Sequence, residues 1–270
     1  MAELSGASQA LFIPLLGKAR VEQYGAILHD PKAAEIVAQV DYDFQKDGKQ
    51  SRFLDIYMGI RAAILDRYAR DFIAAHPDGL VLHLGCGLDA RVERVGARPK
   101  LWVDVDLPDV IQVRRQFYTE GPGYRMLPAD LTDPGWLEEL DWTGGPVLVI
   151  AEGLTMYLTD EENQALFRRF QRNFQHTDYI FDAYSVSAVR WSKRKNPVNK
   201  MGAVIRWGLD DPARMEAVSP GIRHRETCYF TGKEWWEKLS GWTRFLFRGL
   251  YGNSWANSLY RIYAFELTGE

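Results

Sequence analysis

Two glycines one residue apart, followed along the chain by acids at recurring intervals, are the residues of this sequence best suited to hold a ligand. Leu84-Gly85-Cys86-Gly87-Leu88-Asp89-Ala90 directly follows a short apolar run. Glycines so placed let the backbone approach a ligand closely before the chain turns into a helix. Alone, Gly85-x-Gly87-x-x-Ala90 fits a dinucleotide site equally well, with phosphates on the helix N-terminus. The acids discriminate. Asp104 lies at the end of the second strand-like run, where a carboxylate can accept from both hydroxyls of a ribose. Asp130, in Ala129-Asp130-Leu131, is placed to accept the amino group of an adenine that Leu131 packs, and Glu152-Gly153 ends a further run. Carboxylates at successive strand ends suit a sulfonium cation and would repel a pyrophosphate. The pattern points to S-adenosylmethionine as the cofactor. A nicotinamide-linked oxidoreductase and a non-catalytic S-adenosylmethionine-binding protein are the alternatives.

These residues need a frame. From Leu4 to His76 the periodicity is helical, with Phe53, Ile56, Tyr57, Ile60, Ile64, Leu65 and Tyr68 on one stripe. Pro77-Asp78-Gly79 breaks that pattern, and Leu80 to Leu84 reads as a strand covered on both faces. Similar runs at Leu101 to Val105, Tyr124 to Leu127, Pro146 to Ala151 and Tyr179 to Ala183 alternate with helix-like segments, including Pro108 to Tyr118 and Asp160 to Phe174. The fold class expected is α/β, a Rossmann-like, mostly parallel sheet with an N-terminal helical part over 1–76, all within one domain over 1–270. The alternation stops after Ala183, and 184–229 reads as a lid or substrate segment inserted after the fifth strand. Thr243 to Phe247 and Tyr260 to Leu267 read as a closing hairpin. His83 and Trp235, Trp236 and Trp242 read as packing residues.

The bulk properties narrow the function. In 270 residues, 46% hydrophobic and 26% charged, the formal net charge is −3, which offers no field for nucleic acid. Residues Met1 to Ala10 lack the basic start and apolar core of a secretory signal, and no 18-residue apolar stretch occurs. A cytoplasmic protein with no membrane partner is expected. Cys86 and Cys228 have no metal-ligand spacing, so neither a metal site nor a disulfide is expected.

The motifs resemble those of the leucine carboxyl methyltransferase family, in particular its bacterial branch similar to tetracenomycin polyketide O-methyltransferases. The resemblance runs from about Phe12 to Leu267 and rests on Ile13-Pro14-Leu15-Leu16-Gly17-Lys18-Ala19, His29-Asp30-Pro31, Ile60-Arg61 followed by Asp66, and the glycine loop through Arg91. It continues through Asp104-Val105-Asp106-Leu107-Pro108-Asp109-Val110, Ala129-Asp130-Leu131 and Ala151-Glu152-Gly153-Leu154-Thr155-Met156-Tyr157-Leu158. It implies a class I methyltransferase fold. It further implies that Lys18, or Arg20 if the alignment slips, and Arg61 reach the methionine carboxylate, with Gly85 and Gly87 along the methionine portion. Asp104 would hold the ribose, Asp130 and Leu131 the adenine, Glu152 the methionine amino group, and Tyr157 would close the substrate side. Two departures stand out: Ala90 occupies a position often hydroxylated in the family, and Asp104 one often held by Glu.

The implied reaction is methyl transfer to an oxygen of a small molecule, polyketide-like in this branch; a protein C-terminus as acceptor fits these motifs less well. A carboxylate with an intrinsic pKa near ~4 needs no base, whereas a phenol near ~10 does. Arg190, Lys193, Arg194 and Lys195 could attract an anionic acceptor to the segment from Tyr184 to Arg225. His224 and Glu226 are the base candidates, and no nucleophile-base pair emerges.

Overall fold

The computed structural model describes residue 4 and residues 6–45, 50–192 and 203–269. Lys193, Arg194 and Lys195 lie outside the described residues. Seven strands form one sheet: β1 (Leu80–Leu84), β2 (Leu101–Asp106), β3 (Tyr124–Pro128), β4 (Val147–Ala151), β5 (His176–Tyr184), β6 (Ile222–Tyr229) and β7 (Tyr260–Thr268). Their order is β3-β2-β1-β4-β5-β7-β6, with the first five parallel and β7 antiparallel between β5 and β6. The order reverses between β1 and β4, so the strand ends there open a crevice, the usual ligand position of such a sheet.

Alternation along the strands builds two cores. Leu80, Leu82 and Leu84 face one layer with Leu166, Phe167 and Phe170 of the helix α6 (Asp160–Asn173). Val81, Leu148 and Ile150 face the other, with Ile56, Ile60 and Ile64 of the helix α3 (Arg52–Ala75). Each such side chain contributes about 1.5–3 kcal/mol by leaving water. Thr159 and Glu162 form a capping box that fixes the start of α6, and Ser51 caps α3. The N-terminal part consists mainly of α1 (Phe12–Arg20), α2 (Pro31–Gln39) and α3, as the periodicity predicts.

Two expectations about the C-terminal third are overturned. Thr243 to Phe247 is not a strand but lies within the helix Gly241–Tyr251. Its apolar residues fall on both sides of that helix, so a five-residue window mimics a strand. The hairpin partner of β7 is β6, inside the segment read as irregular. A bulge between His224 and Glu226 breaks its alternation, and its outer edge carries Arg223, Arg225 and Glu226 exposed. The insertion after β5 is therefore shorter than expected, ending before Ile222. It contains the helix α7 (Val186–Ser192), and its later part covers the turn after β4: Arg206 and Trp207 donate their amides to the Met156 carbonyl.

Candidate functional site

The ends of β1, β2 and β4 carry the candidate residues, and α1 and α3 supply cations from above. After Leu84 the chain passes Gly85 at φ +59° and Gly87 at φ +52°, a left-handed region costly for other residues. A Cβ at Gly85 would stand 3.2 Å from Leu154, and one at Gly87 would stand 3.3 Å from Leu11. The loop is a tight cradle. Cys86 is buried within it, which pushes its thiol pKa well up and leaves it neutral.

Asp104 does not face this cradle. The strand runs one residue further than the run Leu101 to Val105, to Asp106, and Asp104 lies inside it, fully buried. Its carboxylate accepts from Arg114 Nη2 at 2.5 Å and Nε at 3.0 Å, Tyr124 Oη at 2.7 Å, and Trp102 Nε1 at 2.9 Å. His83 Nδ1 is 3.1 Å away, and Arg91 Nη1 sits 3.1 Å from His83 Nε2, so the neutral imidazole donates from Nδ1 to Asp104. Burial would raise the Asp104 carboxyl, but Arg114 and His83 hold it well below the usual range. No acceptor capacity is left for a ribose.

The acid at the strand end is Asp106. Its Oδ2 accepts from the Gly87 amide at 2.7 Å and its Oδ1 from the Leu107 amide at 2.8 Å. Burial pushes it up to about 6, against those two amide bonds. The motif contains both acids two residues apart, and only the strand's full length separates their roles.

Asp130 is exposed and accepts from the Thr132 amide at 2.9 Å and hydroxyl at 2.7 Å. With Pro108, Ala129 and Trp136 it lines a cleft of about 530 Å³. The side chain of Leu131 is buried in the core cluster with Trp136, Leu137 and Leu140, rather than open to that cleft.

Glu152 is the centre of a buried ion network. Its Oε1 lies 2.8 Å from Lys18 Nζ, 3.0 Å from Arg61 Nη2 and 3.2 Å from Arg61 Nε, while Arg91 binds Oε2. Burial would raise the carboxyl, yet these three cations hold it well down. Arg61 continues to Tyr260 Oη at 2.7 Å and Asp182 at 3.4 Å, and Asp182 accepts from the Gly153 amide at 2.6 Å. Asp89 stands 3.1 Å from Lys18 and 2.8 Å from Arg94, which also holds Asp66 and Asp30 at 2.6 Å each. Four cations, Lys18, Arg61, Arg91 and Arg94, thus meet five carboxylates, Asp30, Asp66, Asp89, Glu152 and Asp182. The surplus is one negative charge. Lys18 is the residue of α1 that reaches the site, whereas Arg20 lies near Tyr24 and Asp55.

The base candidates separate. Tyr157 lies half-buried in the 3-10 turn Thr155–Tyr157, in electrostatic reach of Tyr184, Arg61 and Asp182; burial, the largest cause, raises its hydroxyl pKa so that it keeps its proton. His224, on the edge strand, pairs with Phe265 midway along β7, packs its ring on Phe265 at 5.3 Å, and bonds Thr227 at 2.9 Å. The bulge turns Glu226 to the opposite face, where it accepts from Tyr68 at 2.6 Å. Neither reaches the strand ends. Sequence reasoning missed an aromatic wall beside Arg61: Tyr184 stacks on Tyr260 at 4.2 Å, Tyr260 on Phe230 at 4.8 Å, and Tyr57 lies 5.8 Å from Phe230 and 5.3 Å from Tyr251. Its rings come from α3, β5, β7, the helix Gly241–Tyr251 and the turn after β6, a grouping that only the pairing of Tyr184 with Tyr260 reveals.

The dinucleotide alternative fails on geometry. The loop leads into a single turn, α4 (Arg91–Arg94), whose Arg91 is fully buried, so no long helix offers its N-terminus to a pyrophosphate.

Comparison with known proteins agrees. The model of the family described as leucine carboxyl methyltransferase matches residues 13–171. The tetracenomycin polyketide synthesis O-methyltransferase TcmP of Streptomyces glaucescens is 36% identical, over 83% of this chain and 83% of its own. The S-adenosyl-L-methionine-dependent methyltransferase dpfgK of Gibberella zeae is 33% identical, over 84% of this chain and 83% of its own. Among solved structures, a duf574 family protein of Streptomyces avermitilis superposes with a TM-score of 0.59 at 13% identity, covering 94% of this chain and 97% of that one. A methyltransferase of Anabaena variabilis gives 0.52 at 11% identity, covering 78% and 84%. With the fold, the motifs and these relatives in agreement, the chain belongs to the leucine carboxyl methyltransferase family and is an S-adenosylmethionine-dependent methyltransferase.

Proposed function

We propose that the chain methylates a carboxylate oxygen of an aromatic small molecule, polyketide-like in size, in the cytoplasm. The observation that carries this is the absence of a free base beside the aromatic wall among the described residues. Glu152 and Asp182 are engaged by cations and donors, and burial raises the phenols of Tyr57, Tyr157, Tyr184 and Tyr260. Phenols that keep their protons can donate to an acceptor but cannot take its proton. A carboxylate arrives ionised. That TcmP is named for polyketide synthesis supports the acceptor class. The unpaired Cys86 and Cys228 support the location, and no helix among the described residues is long and apolar enough to cross a membrane.

The donor site fits S-adenosylmethionine. When bound, the donor supplies the methyl group and its own leaving group. Lys18 and Arg61 would hold its carboxylate, and Glu152, whose Oε2 takes a single donor among the described residues, Arg91, would take the ammonium. The buried Asp89 Oδ2, which has no aligned donor, adds acceptor capacity beside Lys18. Gly85 and Gly87 leave room along the methionine chain. Asp106, in place of Asp104, accepts from the ribose, and Asp130 accepts the adenine amino group at the open cleft. The network's surplus negative charge complements a donor carrying two positive charges and one negative.

The experiment is transfer of labelled methyl groups to matched pairs of aromatic acceptors, one bearing a carboxyl and one a phenol. An alkali-labile ester, formed at a rate flat with pH from neutral upward, is expected. Transfer to the phenol alone, rising about tenfold per pH unit, would overturn the reading.

A further inference from the structure

The helix Gly241–Tyr251 has two apolar faces, and the fold uses one. Phe247 is buried and Tyr251 half-buried, packed 5.4 Å from Phe53 and 5.3 Å from Tyr57. On the opposite side Trp242 is 77% exposed, Phe245 68%, Leu246 40% and Leu250 54%. Their spacing of three and four residues forms a continuous stripe. Trp255 on the next helix, 57% exposed, and Trp191 at the end of α7, 55% exposed, pair at 6.2 Å. Large apolar side chains so grouped mark an interaction surface.

We propose that this stripe docks the protein peripherally on an anionic lipid surface. Charge supplies the argument. From Lys238 to Phe265 the sequence carries Lys238, Arg244, Arg248 and Arg261 and no Asp or Glu, in a chain whose net charge is −3. Arg261 is held by the Asn257, Ser258 and Asp210 carbonyls, Arg244 donates from Nε to the Leu239 carbonyl at 2.7 Å, and Lys238 and Arg248 lie over the Trp235 and Trp236 rings; Lys238, Arg244 and Arg248 nevertheless stay exposed, as does Arg190 beside Trp191. Tryptophan, phenylalanine and leucine on one face with flanking arginines is the composition of a helix lying in a membrane interface. A second copy is the poorer occupant: a two-fold interface apposes the same patch to itself, and here it would bring like charges together. The expectation of no membrane partner rests on the lack of an 18-residue apolar stretch, and an interfacial helix needs none because it inserts only its outer side chains. Docking does not depend on the acceptor proposed above.

The test is flotation of the full chain with vesicles of phosphatidylcholine alone and of phosphatidylcholine with phosphatidylglycerol, following tryptophan emission. Wild type is expected to float with the anionic vesicles and to shift its emission to the blue. Trp242→Ser/Phe245→Ser/Leu250→Ser is expected to abolish flotation, and Arg244→Gln/Arg248→Gln to weaken it on the order of tenfold. Both variants should keep the stabilisation by S-adenosylhomocysteine seen in thermal unfolding, because the altered side chains face solvent. The proposal is overturned if wild type stays with the aqueous fraction, or if flotation survives the triple substitution. It is equally overturned if light scattering shows a dimer that the triple substitution dissolves, which would assign the face to a second copy.

Discussion

Asp106 Oδ2 accepts a 2.7 Å hydrogen bond from the amide of Gly87, tying the end of β2 to the glycine loop at the proposed donor site. Asp104, two residues earlier, is fully buried and saturated by Arg114, Tyr124, Trp102 and His83. The pair separates binding from stability. Asp106→Asn should weaken S-adenosylhomocysteine binding by about tenfold or more in calorimetry, with a small change in unfolding free energy. Asp104→Ala leaves Arg114 buried without its counter-charge and should cost about 3–5 kcal/mol. Equal loss of affinity from both variants at unchanged stability would refute this division.

The same carboxyl sets a pH dependence. Burial raises Asp106 from an ordinary 3.8 to about 6, so it protonates as the pH falls through that region and loses its charge toward the ribose hydroxyls. Donor affinity should therefore fall below about pH 6 and be flat above about pH 7, and Asp106→Asn should abolish the step. For stability the sign is opposite: between about pH 4 and 6 the folded state keeps a proton that the unfolded chain has released. The contribution of Asp106 to stability thus declines as pH rises through that window.

The glycine loop and the acid after β4 are legible in the sequence because they depend on local features. A strand followed by Gly85 and Gly87, and an acid after β4, are readable from spacing alone. Lys18 and Arg61 needed the resemblance, since nothing in helical periodicity tells a buried cation from a solvated one. The sequence points to Asp104 because an apolar run shows that a strand exists but marks its end poorly, and here the last residue of the strand, Asp106, is the one beside the glycine loop. His224 and Glu226 failed for a long-range reason: a single bulge puts them on opposite faces of the sheet. The aromatic wall is illegible because its rings are gathered from segments far apart in the chain.

Glu152 offers an acid-stability prediction. Lys18, Arg61 and Arg91 hold its folded carboxyl below the unfolded value of 4.5, so the stabilisation is complete above that value and lost as the pH falls further. Asp89 is held down likewise, mainly by Arg94 and Lys18 against the burial that raises it. Glu152→Ala leaves three cations without that partner and should cost about 3–5 kcal/mol at neutral pH, with a smaller penalty in acid. Thermal unfolding of wild type and variant across pH 3 to 7 checks this, and a penalty that grows toward low pH would contradict it.

The glycine cradle should tolerate no side chain. At Gly87, alanine meets both a φ of +52° and Leu11 at 3.3 Å. The backbone term alone is about 1–2 kcal/mol. Gly87→Ala should lower stability by that amount and weaken donor binding further by displacing the amide that Asp106 holds. Adding Leu11→Ala relieves the contact but not the backbone, so only part of the loss should return. Full recovery in the double variant would show that space, not φ, governs the position.

The acceptor side is separable from the donor side through the tyrosines. Tyr184 lies over Tyr260 at the end of β5, and Tyr157 approaches from the turn after β4; among the described residues neither hydroxyl has a hydrogen-bond partner, and both keep their protons. If they donate to a carboxylate acceptor, Tyr157→Phe and Tyr184→Phe each lose one charge-assisted hydrogen bond, about 1.5–3 kcal/mol, or roughly tenfold to a hundredfold in kcat/KM. Donor affinity should stay unchanged in calorimetry. His224→Ala and Glu226→Gln, remote from the strand ends, should leave kcat/KM within about twofold. A collapse of turnover in either remote variant, with the fold intact, would restore a base to the mechanism and shift the acceptor toward a phenol.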